Sequence, residues 1–167
     1  MTNSHFEYGK WFHRFVQNFV LEKGNISDEI IRKEIKKSPD KSRGSHEVNC
    51  FFVSPFATFV LNSKPRSFIE VTLMETKRAD IILSLPEKKK FVVIEIKTSM
   101  GSLENIEEQF YDMLMQTKKY SKAIKSITGF QAIETIYLSR YGVWISNNRQ
   151  KKVNYIKIIQ EPEHLFQ

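Results

Sequence analysis

The chain has 167 residues, a formal net charge of +7, 41% apolar and 27% charged residues. That length suits one domain spanning residues 1–167 with a sizeable core, and the composition excludes a disordered chain. The lone cysteine, Cys50, excludes an intramolecular disulfide and a cysteine zinc site, and no apolar run is long enough to span a bilayer.

The first twenty residues carry His5, Glu7, Lys10, His13 and Arg14. They read as no signal peptide, so a cytoplasmic location is expected. From His5 to Leu21, Phe12, Phe15, Val16, Phe19 and Val20 recur at helical spacing, and Gly24 ends the helix. Ser27 caps a second helix, with Asp28 and Glu29 in its first turn. Ser38 to Gly44 reads as a polar loop. His46 to Leu61 is built of strand-favouring residues, yet its apolar positions follow a helical period. It is read as a helix with a kink or break at Pro55, a strand being the alternative. Thirteen Phe in so short a chain predict a dense aromatic core. Cys50, inside an aromatic run, is expected to be buried in it.

Ser67 to Glu75 reads as the first core strand and Ala79 to Leu85 as the second. Pro86-Glu-Lys-Lys-Lys90 turns the chain into a third, Phe91 to Lys97. A long helix, Ser102 to Lys125, shows Leu103, Ile106, Phe110, Met113, Leu114 and Thr117 on one face. Ile133 to Ser139, Gly142 to Ser146 and Val153 to Ile159 read as strands.

In the third strand Glu95 and Lys97 point to one face, because side chains alternate along a strand. Asp80 lies on the neighbouring strand across a tight turn. Two carboxylates and an ammonium therefore converge, a set that suits a divalent metal and a water nucleophile. The basic charge favours a polyanion as partner. Lys88, Lys89, Lys90, Lys118, Lys119, Lys122, Lys125, Arg149, Lys151 and Lys152 are candidates for phosphate contacts, or for a solvated face.

Arg78-Ala79-Asp80 followed by Glu95-Ile96-Lys97 resembles the PD-(D/E)xK nuclease superfamily, with Ala79 where that family usually has Pro. The order α-β-β-β-α-β, with extra N-terminal helices, is the order of its core. The resemblance implies an α/β (α+β) restriction-endonuclease-like fold with a central mixed sheet flanked by helices. It implies a Mg²⁺- or Mn²⁺-dependent nuclease cutting DNA, with Asp80 and Glu95 as metal ligands. The Ile96 carbonyl would be a further ligand, and Lys97 would activate the water. A third acid often comes from the preceding helix, which nominates Glu47, with Glu75, Glu70 and Glu7 as rivals. Gln116-Thr-Lys-Lys-Tyr120 resembles the Q-x-x-x-Y motif of the RecB-like branch, placing Gln116 and Tyr120 at the site or on the DNA. Gln109 competes with Gln116. His5, His13 and His46 are open as ligands or proton carriers. Nucleic acid, DNA ahead of RNA, is the implied partner, with no membrane and with room for a homodimer. Competing functions are an inactive nucleic-acid-binding module of the same fold and a protein-interaction domain using the cluster as an ion-pair network.

Overall fold

The computed structural model describes residues 2–74, 77–99, 106–150, 153–162 and 165. Four helices come first: α1 (Thr2–Leu21), α2 (Asp28–Lys36), α3 (Lys41–Phe52) and α4 (Pro55–Ser63). Strands β1 (Arg66–Met74), β2 (Lys77–Leu85) and β3 (Lys90–Lys97) follow, with one 3-10 turn at Pro86–Lys88. The long helix α5 (Ile106–Thr128) precedes β4 (Gln131–Leu138), β5 (Val143–Gln150) and β6 (Val153–Ile158). The strands form one mixed six-stranded sheet in sequence order. All neighbours are antiparallel except β3 and β4. A parallel pair needs a long crossover, and α5 supplies it. The result is an α+β architecture. Among the described residues, no helix is long and apolar enough to cross a membrane.

Local chemistry sets the helix boundaries. The Ser27 hydroxyl accepts from the Ile30 N–H. Ser54 caps α4 through Ala57 and places Pro55 in its first turn, so the chain breaks there into two helices, as the sequence predicts. The expected loop at Ser38 to Gly44 is shorter than predicted. α3 already begins at Lys41, because the Asp40 carboxylate takes the Arg43 N–H at 3.0 Å. Gly24, at φ +80°, reverses the chain after α1 in a conformation where a side chain would be strained.

Alternation in the sheet separates two cores. Ile81, Leu83, Val92, Ile94 and Ile96 face the α1, α3 and α4 layer. Phe12, Phe51, Phe56, Tyr137 and Trp144 pack there, Phe51 meeting Tyr137 edge-on at 5.6 Å. Ile82 and Val93 face the other way, onto Tyr120 and Ile124 of α5. Val92 to Ile96 are all buried, as a central strand covered on both faces requires. Cys50 is half-buried rather than buried, with Sγ 3.6 Å from His46 Nε2.

Candidate active site

The site forms where β2 parts from β3 and misses one pair with β1. The last bridged pair between β2 and β3 is Ile81 with Ile94. Continuing that register would set Ala79 opposite Ile96. Instead the Asp80 carboxylate takes the Ile96 N–H, at 2.8 Å. Within a strand, the N–H and C=O of one residue point to the same side, so the Ile96 carbonyl faces this gap as well. Lys97 obeys the alternation: its carbonyl accepts from the Ser139 N–H, on the β4 side, at 3.0 Å. On the other flank, β1 and β2 pair at Ile69–Ile81 and Val71–Ala79 but skip Glu70 and Asp80 between them. Glu70 has φ +49°, a left-handed backbone at a non-glycine residue. The Asp80 carbonyl is taken instead by Gln17 Nε2 of α1, at 3.3 Å.

Four ionisable groups meet here. The Asp80 and Glu95 carboxyls are hydrogen-bonded to each other. His13 Nε2 lies 3.2 Å from Asp80 Oδ2. Its Nδ1 lies 2.8 Å from the Gly9 carbonyl. A carbonyl only accepts, so Nδ1 carries a proton and Nε2 addresses the carboxylate. Burial works against the His13 cation, but the bond and charge of Asp80 outweigh it and its pKa is raised. Burial also works against the Asp80 anion, yet His13 and the Ile96 N–H hold its pKa down. Glu95 is different. Burial, then the Asp80 charge, push its pKa up to about 8, with Lys97 opposing. The charge of Lys97 also acts on His13, so the ammonium lies within electrostatic reach of both groups. At neutral pH the pair thus shares one proton, as two close carboxylates must.

Among the other sequence candidates, Glu47 requires a correction. It is 1% exposed and has other partners. Arg43 Nε donates to its Oε2 and the Ser139 hydroxyl to its Oε1. Arg43 also donates to the Thr98 carbonyl and lies over the Tyr8 ring at 4.0 Å. Glu47 therefore ties α3 to the ends of β3 and β4, because its helix starts a turn earlier than the sequence suggests. Tyr120 is also internal rather than on a binding face. It is fully buried, and its hydroxyl donates to the Arg78 carbonyl at 2.9 Å, just ahead of Asp80. Tyr120→Phe should lower stability by about 1 kcal/mol in urea denaturation, because the carbonyl loses a buried partner. No change would mean water replaces the hydroxyl. Gln116 and Gln109 lie on α5, but their side chains, like Glu75, lie outside the described residues. Glu7 is exposed, 3.9 Å from Lys10.

The sequence leaves His13 open as a ligand or proton carrier and singles out no role for Gln17. Gly9, His13 and Gln17 recur every four residues, a polar stripe beside the aromatic one on α1, and that spacing was the available signal. Four of the predicted lysines, Lys88, Lys89, Lys90 and Lys125, are displaced from the site. Lys90 opens β3 and pairs in register with Gln131 at the start of β4. At 3.3 Å per residue, Lys88, Lys89 and Lys90 are about 20 Å from Lys97 along the strand. Lys125, near the end of α5, lies on the same far side. The cations near the site are Lys10 and Arg14, which line a cavity of about 600 Å³ with His13, Gln17, Glu70 and Thr98.

Among the described residues, no three His, Cys, Asp or Glu side chains form a ready ligand set. Two carboxylates and the Ile96 carbonyl still suit Mg²⁺, which keeps several waters and takes few protein ligands. The fit has a structural sign: Glu95 Oε1 is buried without a hydrogen-bond partner. A cation would satisfy it and displace the shared proton. No protein-family model matches the chain, and no curated protein matches it significantly.

Proposed function

We propose that this chain is a metal-dependent nuclease that hydrolyses phosphodiester bonds, with DNA as the expected substrate, on a restriction-endonuclease-like core. The observation that carries the reading is the Asp80–Glu95 carboxyl pair, Glu95 buried and Asp80 half-buried, with Lys97 two residues along the strand, at the point where β2 leaves β3. The succession α3 and α4, β1, β2, β3, α5, β4 supports the core assignment. Asp80, Glu95 and the Ile96 carbonyl would hold Mg²⁺ or Mn²⁺. When bound, the ion supplies charge stabilisation on the phosphoryl oxygens and lowers the pKa of a coordinated water.

The protein side chains do the rest. His13 and the Ile96 N–H fix the Asp80 carboxylate in its anionic form, and Gln17 anchors its backbone. Glu95, on a central buried strand, cannot swing away. Lys97 would hold the attacking water and oppose the negative charge that develops as its proton leaves. Lys10 and Arg14, in the cavity beside His13, would hold phosphates on the approaching strand.

The test is cleavage of linear and circular DNA with Mg²⁺ or Mn²⁺. Lys97→Ala should reduce the rate by at least about a hundredfold, while calorimetry shows metal affinity within a few-fold of wild type. Near wild-type cleavage in Lys97→Ala would sink the role of that lysine. Absence of metal-dependent cleavage in the wild type would sink the nuclease reading.

A further inference from the structure

A second cavity, of about 740 Å³, opens beside the first at the carboxyl ends of the parallel strands β3 and β4. His5, Thr98 and Ser99 line both cavities, and Thr98 directly follows Lys97. The two spaces therefore flank the chain immediately after the site. Outside the carboxyl ends of parallel strands is a favoured place for ligands in α/β sheets. The volume lies in the range of ligand pockets.

The lining carries two arginines and two histidines. Arg43 and Glu47 neutralise each other within the wall. Beyond them stand Arg140, His46 and His5. Arg140 follows Ser139 at the end of β4, is exposed, and lies 5.8 Å from the face of Tyr141. A guanidinium beside an aromatic ring in the wall of a cavity suits a phosphate with a base stacked next to it. Lys88, Lys89, Lys90 and Lys125 sit at the other end of the sheet and cannot serve this place.

We propose that this second cavity is a phosphate-binding subsite, with Arg140 as its principal cation, for the strand whose scissile bond lies at Asp80 and Glu95. The proposal rests on the nuclease reading and extends it. The phosphate is either a strand terminus or an internal diester one step from the scissile bond, and the two share the same chemistry.

The experiment uses the full chain in EDTA, where cleavage is suppressed. Fluorescence anisotropy measures binding of one short DNA oligonucleotide made with a 5′-phosphate, with a 3′-phosphate, or with neither. Arg140→Ala is compared with wild type and with Lys125→Ala, a charge loss at the far end of the sheet. Thermal melting checks that both variants are folded. Arg140→Ala should weaken binding about tenfold, and Lys125→Ala should leave it nearly unchanged. A loss confined to one phosphorylated oligonucleotide assigns the subsite to that terminus. An equal loss for all three, with the salt slope reduced by about one, assigns it to an internal diester. Unchanged affinity in Arg140→Ala, or an equal loss in Lys125→Ala, overturns the subsite. Arg140-dependent binding without any metal-dependent cleavage would keep the subsite and remove the nuclease reading alone.

Discussion

Arg43→Ala is expected to lower the unfolding free energy by about 3–5 kcal/mol, measured by urea denaturation at neutral pH. Glu47 is 1% exposed, and Arg43 is its cation. Without the guanidinium, the carboxylate stays buried beside the Ser139 hydroxyl but has lost its cation. The Thr98 carbonyl loses its donor and Tyr8 its overlying cation at the same time. Glu47→Gln in the Arg43→Ala background should recover much of the loss, because it removes the charge but keeps the shape. A loss under about 1 kcal/mol, the range of exposed ion pairs, would show that water reaches the pair. Glu47→Gln alone should leave the metal-induced rise in melting temperature as in wild type, since both oxygens of this acid are already taken by Arg43 and Ser139. A diminished rise would return Glu47 to the ligand set.

Asp80, Glu95 and Lys97 were legible because their relation is local. A period-two strand fixes the common face of Glu95 and Lys97, and a three-residue turn fixes the strand that carries Asp80. The break at Pro55 was legible for the same reason: Ser54 and Pro55 are a cap and first-turn pair written in adjacent residues. What failed to show was tertiary. His13 reaches Asp80 only because the aromatic stripe of α1 docks on Phe51 and Tyr137, which turns the neighbouring polar stripe over β2. Nothing near His13 in the sequence announces that docking. Glu47 was misplaced by a single turn of helix. The start of α3 depends on Asp40, whose capping lies within a run of polar residues that reads as loop. The left-handed backbone at Glu70 could not be foreseen, since a glutamate gives no sign of a positive φ. Yet at that residue one β1–β2 pair is skipped, and the Asp80 carbonyl is taken by Gln17.

In the absence of divalent metal, the protein is expected to lose stability as pH rises from about 5 to 8, and Glu95→Gln should flatten that fall. The folded pKa of Glu95 is about 8, above its ordinary value of 4.5. As pH climbs past 4.5 the unfolded chain gives up this proton, while the folded chain keeps it until about pH 8. The contribution of Glu95 is therefore full below 4.5 and is lost across that window. His13 acts in the same sense. Its pKa is raised, so its contribution is full below 6.5 and is lost as pH rises through the folded value. Asp80 acts in the opposite sense: its lowered pKa gives stability above 3.8 that disappears only at more acid pH. Between 5 and 8 the first two dominate, and the loss assignable to Glu95 is on the order of a few kcal/mol. Glu95→Gln keeps a neutral side chain beside Asp80 at every pH, so it should melt above wild type at pH 8 and close to it at pH 5. Saturating Mg²⁺ should reverse the order at pH 8, because the cation displaces the shared proton in the wild type and finds one carboxylate fewer in the variant. Parallel melting profiles for the two proteins between pH 5 and 8 would mean that Glu95 titrates as an ordinary carboxylate and that the Asp80–Glu95 pair is not the coupled site described above.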